Sequence, residues 1–393
     1  MDSLSILRDK VGEALERIKS AKYILTVFSD DGDGLASALL LKLLYDELGV
    51  EYAFICIDKV YPDILTDIMG EPYDLIIFTD LGGSFYRYIE SLENILVIDH
   101  HSEAASPPED VMYINPSNMG FEESEAPSSS IITYLICRQY DAALFSRWSW
   151  LAVLGYGESP NYPVGLNWRV LYEAIKSGVA RKRGEAIKIV YGSFNKDYRR
   201  LYREVTLISS VGYYEDAYLD LFQVLYEGDN RYILDKAAEY KEVRKRVFDE
   251  MLTFLEEEGL SERGSITWFE DYKNLFYKLG TRVFDSFTSY VSYQIRLYDK
   301  NKYLLGICER NPYIPGYGYL PRDWVNIAVR TSRSMAFRIS LGRLQPVSAL
   351  VEASAYSVGG LGYGYSDKGA AVVPYSEKDR FLSVFNELAS QSV

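Results

Sequence analysis

An α/β fold built on a parallel sheet is what this sequence of 393 residues predicts. Two observations carry the prediction. Short apolar runs alternate with segments at helical spacing through the first part of the chain, and helices between successive strands imply parallel pairing with both sheet faces covered. Those runs also end on acidic residues or on histidine, and ligands of such sheets bind beyond the carboxyl ends of the strands.

Taken in order, Leu4, Leu7, Val11, Ala14, Leu15 and Ile18 fall on one face of a helix over 2–20. A first strand over 23–28 runs into Asp31 and Asp33, with Gly32 and Gly34 permitting a tight turn before a helix over 35–48. A second strand, 52–57, leads to a helix over 62–69, whose Pro62 sits in the first turn, where no N–H is needed. The third strand, 74–79, ends at Asp80, and a short helix near 85–92 follows. The fourth, 94–98, ends in Asp99-His100-His101. Residues 102–127 read as a polar loop interrupted by an apolar run at 111–114. Helices follow over 128–140 and 142–153, then a Gly/Pro-containing loop over 155–165.

From Asn167 to Leu260 the pattern is helical, with a long helix over 229–258. After a boundary at 261–264 it returns to α/β. Strands are expected at 265–269 and 302–308, a helix over 283–297, and a strand pair at 324–330 and 335–340. A helix over 347–356, a glycine-rich loop over 358–369, a strand at 370–373 and a helix over 377–389 close the chain. Three domains are expected, at 1–160, 161–260 and 261–393.

Hydrophobic content of 48% and charged content of 25% are those of an ordinary globular protein. With no apolar run long enough to span a bilayer and no leader-like segment, a cytoplasmic location away from membranes is expected. Cys56, Cys137 and Cys308 lie far apart, which excludes a zinc knuckle or a disulfide framework. The net charge of −14 is uneven: residues 1–160 hold 27 acidic and 10 basic side chains, whereas 161–200 hold 9 basic against 3 acidic and 301–350 hold 7 against 2. An acidic first part suits a cation, and the basic stretches suit phosphate. Solvated helix and strand faces would account for those stretches equally well. Aromatics interleaved with arginine at Tyr198-Arg199-Arg200-Leu201-Tyr202-Arg203 offer stacking partners for bases.

The only two histidines are adjacent, in the triplet. Oxygen ligands with one imidazole suit Mn²⁺ or Mg²⁺ better than zinc. Asp31 and Asp33, two residues apart, can face one side of a turn, and Asp80 from a neighbouring strand can bridge two ions. Two metals about 3.5–4 Å apart activate a water and stabilise the leaving oxygen of a phosphoester. The second histidine can contact the phosphate or protonate the leaving group. The competing reading of Asp31 or Asp33 taken alone is a helix N-cap.

These residues resemble the DHH phosphoesterase superfamily, which includes RecJ-type exonucleases, archaeal GINS-associated and helicase-associated nucleases, oligonucleotide-degrading enzymes and manganese pyrophosphatases. Ser29-Asp30-Asp31-Gly32-Asp33-Gly34 looks like its first motif, Thr79-Asp80-Leu81-Gly82 its second and Asp99-His100-His101 its third. The resemblance implies a parallel-sheet DHH catalytic domain, a helical connector and a smaller α/β DHH-associated substrate-binding domain. It implies two Mn²⁺ ions, with Mg²⁺ as a substitute, held by Asp31, Asp33, Asp80 and His100. Glu158 stands where the fourth motif carries Asp, and His101 and Asp99 are the implied catalytic pair. Arg330, Arg333, Gly359, Gly360, Lys368 and Gly369 are the implied nucleic-acid contacts. The chain departs from the family pattern at Ser29, where many relatives have His or Asp. It departs again at Leu361, where His usually follows Gly-Gly.

The function expected on this basis is a Mn²⁺-dependent exonuclease on single-stranded DNA or RNA, in replication or repair, with a helicase or replisome protein as a further partner. Two alternatives stand beside it: a RecJ-like scaffold of a replicative helicase complex that has lost its chemistry, and an oligonucleotide phosphodiesterase.

Overall fold

A computed structural model describes residues 2–81, 85, 94–101, 111–122, 124–294 and 296–391. By backbone contact the chain forms two compact units. The first comprises 1–57, 70–209 and 215–240; the second comprises 58–69, 210–214 and 241–393. The expected connector is therefore shared, most of 161–240 grouping with the first unit and 241–260 with the second. No described helix is long and apolar enough to cross a membrane.

The first unit is organised on a parallel sheet of five strands in the order β2-β1-β3-β4-β5. These are β1 (Tyr23–Ser29), β2 (Glu51–Ile57), β3 (Leu75–Thr79), β4 (Ile95–Ile98) and β5 (Met112–Ile114). The strand order reverses between β1 and β3, where Phe28 lies in register with Thr79, and ligand crevices open at such switch points. Strands β3, β4 and β5 are buried throughout, as near-continuous apolar runs of a covered parallel sheet should be. The apolar run at 111–114, expected as a break in a loop, supplies the fifth strand.

The helix α1 (Ser3–Ser20) is capped by Asp2 and buries the predicted Leu7, Val11, Ala14, Leu15 and Ile18. Helix α2 (Gly32–Leu48) starts earlier than the apolar pattern indicated, because Asp31 caps it. Helix α3 (Pro62–Met69) joins β2 to β3 and groups with the second unit. Helices α4 (Ser129–Tyr140), α5 (Ala142–Phe145), α6 (Ser149–Gly155) and α7 (Gly165–Lys176) follow. The expected short helix near 85–92 falls, apart from Phe85, outside the described residues.

The expectation of an almost wholly helical 167–260 fails at one place. β6 (Ala180–Arg183), β7 (Ala186–Ile189) and β8 (Lys196–Asp197) form a small antiparallel sheet. Gly184 at φ 61° opens its two-residue turn, a position that favours glycine. Helices α8 (Tyr198–Val211), α9 (Ala217–Glu227) and the 29-residue α10 (Asn230–Glu258) then follow.

The second unit carries a six-stranded mixed sheet in the order β15-β16-β14-β11-β10-β9. Its strands are β9 (Ser261–Arg263), β10 (Ile266–Glu270), β11 (Tyr303–Glu309), β14 (Trp324–Arg330), β15 (Leu361–Gly364) and β16 (Lys368–Pro374). The two-residue pair β12 (Tyr313–Ile314) and β13 (Gly318–Tyr319) stands apart. Its helices are α11 (Thr281–Ser292), α12 (Arg333–Ser340), α13 (Val347–Ser357) and α14 (Lys378–Ser390). Two expectations are corrected here. Residues 335–340 are helix, not a strand paired with 324–330: Ser332 caps Met335, and Met335 and Ile339 are buried at i, i+4 spacing. The glycine-rich stretch is not all loop, since 361–364 pairs with β16.

Candidate metal centre

The carboxyl ends of β1, β3 and β4 converge with the start of α4 and the turn after α6. Asp31 caps α2, its Oδ1 accepting from the N–H groups of Asp33 and Gly34 at 2.9 and 3.1 Å. That cap turns Asp33 inward. Asp33 is fully buried and accepts from the backbone N–H groups of Ser129 and Ser130, both at 3.0 Å, and from Ser128 Oγ at 3.1 Å. The unpaired amides at the α4 N-terminus are thus capped by a carboxylate from a distant part of the chain.

Asp80 closes β3 at φ 62°, a left-handed conformation that few residues besides glycine, asparagine and aspartate adopt. It is held there by Ser29 Oγ at 2.7 Å and Ser129 Oγ at 3.1 Å. Asp99 is buried and meets His101 Nδ1 at 2.7 Å. Asn115 Nδ2 donates to the His101 carbonyl at 2.8 Å, fixing the triplet's backbone.

At the centre lies His100 Nε2. It sits 3.5 Å from Asp33 Oδ2, 3.3 Å from Asp80 Oδ1 and 3.5 Å from Glu158 Oε2. It is buried with no hydrogen-bond partner of good geometry. One ligand atom from each of Asp33, Asp80, His100 and Glu158 falls within 4.8 Å of every other, as do those of Asp80, His100 and His101.

Electrostatics follow from this crowding. Burial pushes the Asp80 carboxyl well above its usual range, and Asp31 and Asp33 add to the shift. Burial likewise raises Asp33, against the pull of His100. Burial works against a charged His100, but Asp80 and Glu158 outweigh it and hold the imidazole well above its ordinary pKa. His101, also opposed by burial, is pushed up to about 9 by Asp99. Asp99 and Glu158 are depressed, burial being outweighed by His101 in the first case and His100 in the second. In total, three carboxylates surround one imidazole nitrogen, and the site carries an excess of acid that a cation would balance.

Of the residues expected to bind metal, Asp33, Asp80, His100 and Glu158 are brought together, while Asp31 spends one oxygen on its cap. Sequence reasoning missed Ser128, Ser129 and Ser130; the serine run ahead of an apolar helix was the available signal. It also missed Gly155, where an added Cβ would lie 2.1 Å from Asp33 Oδ1 and from Ser130 Oγ. The six residues expected at nucleic acid lie in the second unit. Arg330 is bound there, donating to Ser289 Oγ at 2.7 Å and to the carbonyls of Val329, Gly369 and Asp285 at 2.8–3.0 Å. Arg333, Gly359 and Lys368 are exposed, whereas Gly360 and Gly369 are buried against neighbouring backbone.

Residues 23–154 match the model of the DHH family, N-terminal domain. This stretch, about a third of the chain, is similar to DHH-family domains. It contains the three motifs that carried the resemblance to DHH phosphoesterases, and Glu158 lies just beyond it. An uncharacterized protein of Methanocaldococcus jannaschii is 24% identical over 177 residues, a match covering 42% of this chain and 40% of that relative's length. Among solved structures, exonuclease RecJ bound to manganese matches at a TM-score of 0.61 and 15% identity, covering 98% of this chain and 94% of that one. CDC45 from Entamoeba histolytica matches at 0.56 and 9% identity over 100% of both chains. At these identities the likenesses establish the fold, which extends beyond the DHH domain to nearly the whole chain.

Proposed function

We propose that this chain is a divalent-metal-dependent phosphodiesterase that degrades single-stranded nucleic acid from an end. One observation carries the metal dependence: His100 Nε2, buried and without a hydrogen-bond partner, lies 3.3–3.5 Å from three carboxylates. An oxygen-rich set with one imidazole suits Mn²⁺ or Mg²⁺, and the crowded acids need a positive charge. Asp33, Asp80, Glu158 and His100 are the assigned ligands, and Asp31 is the assigned contact to a second ion.

Mn²⁺ held there would supply Lewis-acid chemistry, activating a water and balancing charge on the phosphoryl oxygens. The protein's own residues do the rest. Ser29, Ser129 and the α4 amides hold the Asp80 and Asp33 carboxylates in place before any substrate arrives. Asp99 orients His101 through Nδ1, leaving Nε2 to carry a proton to the leaving oxygen. The buried carboxylates exclude bulk water from their inner faces, which strengthens every interaction with the reacting phosphate. The likeness to RecJ supports a polymer substrate and the exonuclease assignment. A scaffold with lost chemistry has no use for a left-handed Asp80 held by two serines, and this disfavours that alternative.

Degradation of end-labelled single-stranded DNA and RNA with Mn²⁺ tests the reading. The wild type should cleave. Asp80→Asn, which tolerates the left-handed backbone, and His100→Ala should lose cleavage by on the order of a hundredfold or more. Absence of metal-dependent cleavage by the wild type would refute the enzyme.

A further inference from the structure

The small sheet β6–β8 presents one apolar and one cationic face. Ile187 and Ile189 are buried, and alternation puts Ala180 and Lys182 on their side. The opposite side carries Arg181, Arg183 and Lys188, all exposed. Arg181 pairs directly with Lys188 across the strands. Like charges in that position are destabilising, so this pairing is unfavourable for the fold by itself. Among the described residues, none of the three makes an ion pair or a side-chain hydrogen bond. The acids nearest in register are Glu185 at the turn and Asp197 opposite Lys188. Asp197 Oδ1 accepts from the Arg200 N–H at 2.9 Å. At the edge of the sheet, Lys182 Nζ lies 5.5 Å from the Trp168 ring and 6.0 Å from that of Tyr162, and the two rings stack 6.4 Å apart. Tyr162 is exposed.

The sheet is tied to the metal centre within the same unit. Strand β8 runs directly into α8, whose Tyr202 packs so closely that a Cβ on Gly157 or Gly32 would lie 2.6 or 2.5 Å from it. Arg199 donates to the carbonyls of Pro160 and Asn161, just after Glu158, at 3.1 and 2.6 Å.

We infer that this face is an accessory binding surface for the sugar-phosphate backbone of a single-stranded nucleic acid. The inference rests on the proposed function and deepens it. Residues 1–160 carry a large excess of acid, and a polyanion approaching an acidic centre gains from a cationic surface in the same unit. Arg181 and Arg183 stand about 7 Å apart along an extended strand, a spacing suited to successive phosphates. Exposed cations without ion-pair partners on an extended strand supply the electrostatic part of sequence-tolerant single-strand binding.

The test is fluorescence anisotropy of a long labelled single-stranded oligonucleotide with the full chain, in chelator so that binding is read without cleavage, across a salt series. Arg181→Glu/Arg183→Glu/Lys188→Glu should weaken binding roughly tenfold or more at low salt. The milder Gln triple variant should reduce the slope of log affinity on log salt by about 2, as three lost phosphate contacts require. Circular dichroism guards against misfolding, and Mn²⁺-dependent hydrolysis of a very short oligonucleotide should keep its kcat and KM. The inference is overturned by a folded Gln variant that binds like the wild type, by a wild type that does not bind, or by equal loss on the short substrate. Displacement of the strand by polyglutamate as effective as by unlabelled strand would also overturn it, assigning the face to an acidic protein. A wild type that binds through this face but never cleaves would refute the nuclease alone.

Discussion

Both units bury carboxylates, and the candidate site of the first balances them differently from the ion pairs of the second. In the second unit Asp58, Asp63 and Asp285 each have a cation of their own, whereas buried Asp271 is held by the backbone N–H groups of Leu275 and Phe276 at 3.0 and 2.7 Å. Asp58 pairs with Arg310 and also accepts from the Thr281 N–H at 2.8 Å. Lys59 meets Asp285 at 2.8 Å and also Tyr363. Arg322 forks onto Asp63, which also accepts from Trp324 Nε1 at 3.1 Å. The pKa directions agree: burial opposes the charge on Lys59 and on Asp285, yet each partner outweighs it, leaving Lys59 raised and Asp285 lowered. In the first unit, Asp33, Asp80 and Glu158 share one imidazole, and Asp33 and Asp80 are raised. Matched pairs hold residues 58–69 in the second unit; the cluster in the first shares one imidazole among three carboxylates. Burial alone does not mark a functional acid; several carboxylates crowded on one imidazole do so better.

The largest effect should come from unbalancing a matched pair. Arg310→Met leaves Asp58 buried and unpaired, at a cost of about 3–5 kcal/mol. Denaturant unfolding should show the loss, and adding Asp58→Asn, which keeps an acceptor for the Thr281 N–H, should regain part of it. Mn²⁺ affinity should not change. An unfolding midpoint equal to the wild type's would show that the pair contributes nothing.

Balancing the unmatched cluster should have the next effect, in the opposite direction. Mn²⁺ at a hundred times its Kd should stabilise the folded chain by about 2.7 kcal/mol. The pH dependence follows from the raised acids. Asp33 and Asp80 hold protons in the folded, metal-free chain at pH values where the unfolded chain has lost them. Their contribution is full below the unfolded pKa near 3.8 and is lost as pH rises through the raised folded values. The Mn²⁺-induced rise in Tm should therefore grow with pH. Asp80→Asn should raise the metal-free Tm and flatten that dependence; a Mn²⁺ response that is flat with pH in the wild type would contradict the acid excess.

What the sequence made legible follows the same division. Strand ends locate acids well, because apolar runs fix β1, β3 and β4 and the next residues must lie at the sheet's edge. Asp33, Asp80 and the triplet were readable for that reason. Asp31 was ambiguous between cap and ligand, since both roles use the same position. The second unit's pairs were not visible, since Asp58 and Arg310 are 252 residues apart and nothing local links them. β5 and β8 escaped because strands of three and two residues carry too little alternation to register. At 335–340 a two-residue alternation competed with i, i+4 spacing, and the Ser332 cap decided for helix. Glu158 was suggested by the family resemblance alone, and its place follows from a short turn after α6 that periodicity does not report.

The smallest expected effect is the one that distinguishes a prepared site from a chance gathering of acids. Ser128, Ser129 and Ser130 look alike in sequence but do different things. Ser129 Oγ donates to Asp80 at 3.1 Å, whereas Ser130 Oγ donates to the Ala152 carbonyl at 3.2 Å. Both keep their backbone amides on Asp33 when the side chain is removed. Ser129→Ala should thus free Asp80 to turn away, costing about 1 kcal/mol of stability and roughly tenfold in Mn²⁺ affinity, the usual scale for a residue that orients a metal ligand. Ser130→Ala should cost similar stability with a smaller loss of Mn²⁺ affinity, because Asp33 keeps the Ser129 and Ser130 amides. Calorimetric titration of the two variants separates them. Equal affinities would mean that Asp80 is held by Ser29 and its own backbone, and that the serine run serves only to start α4.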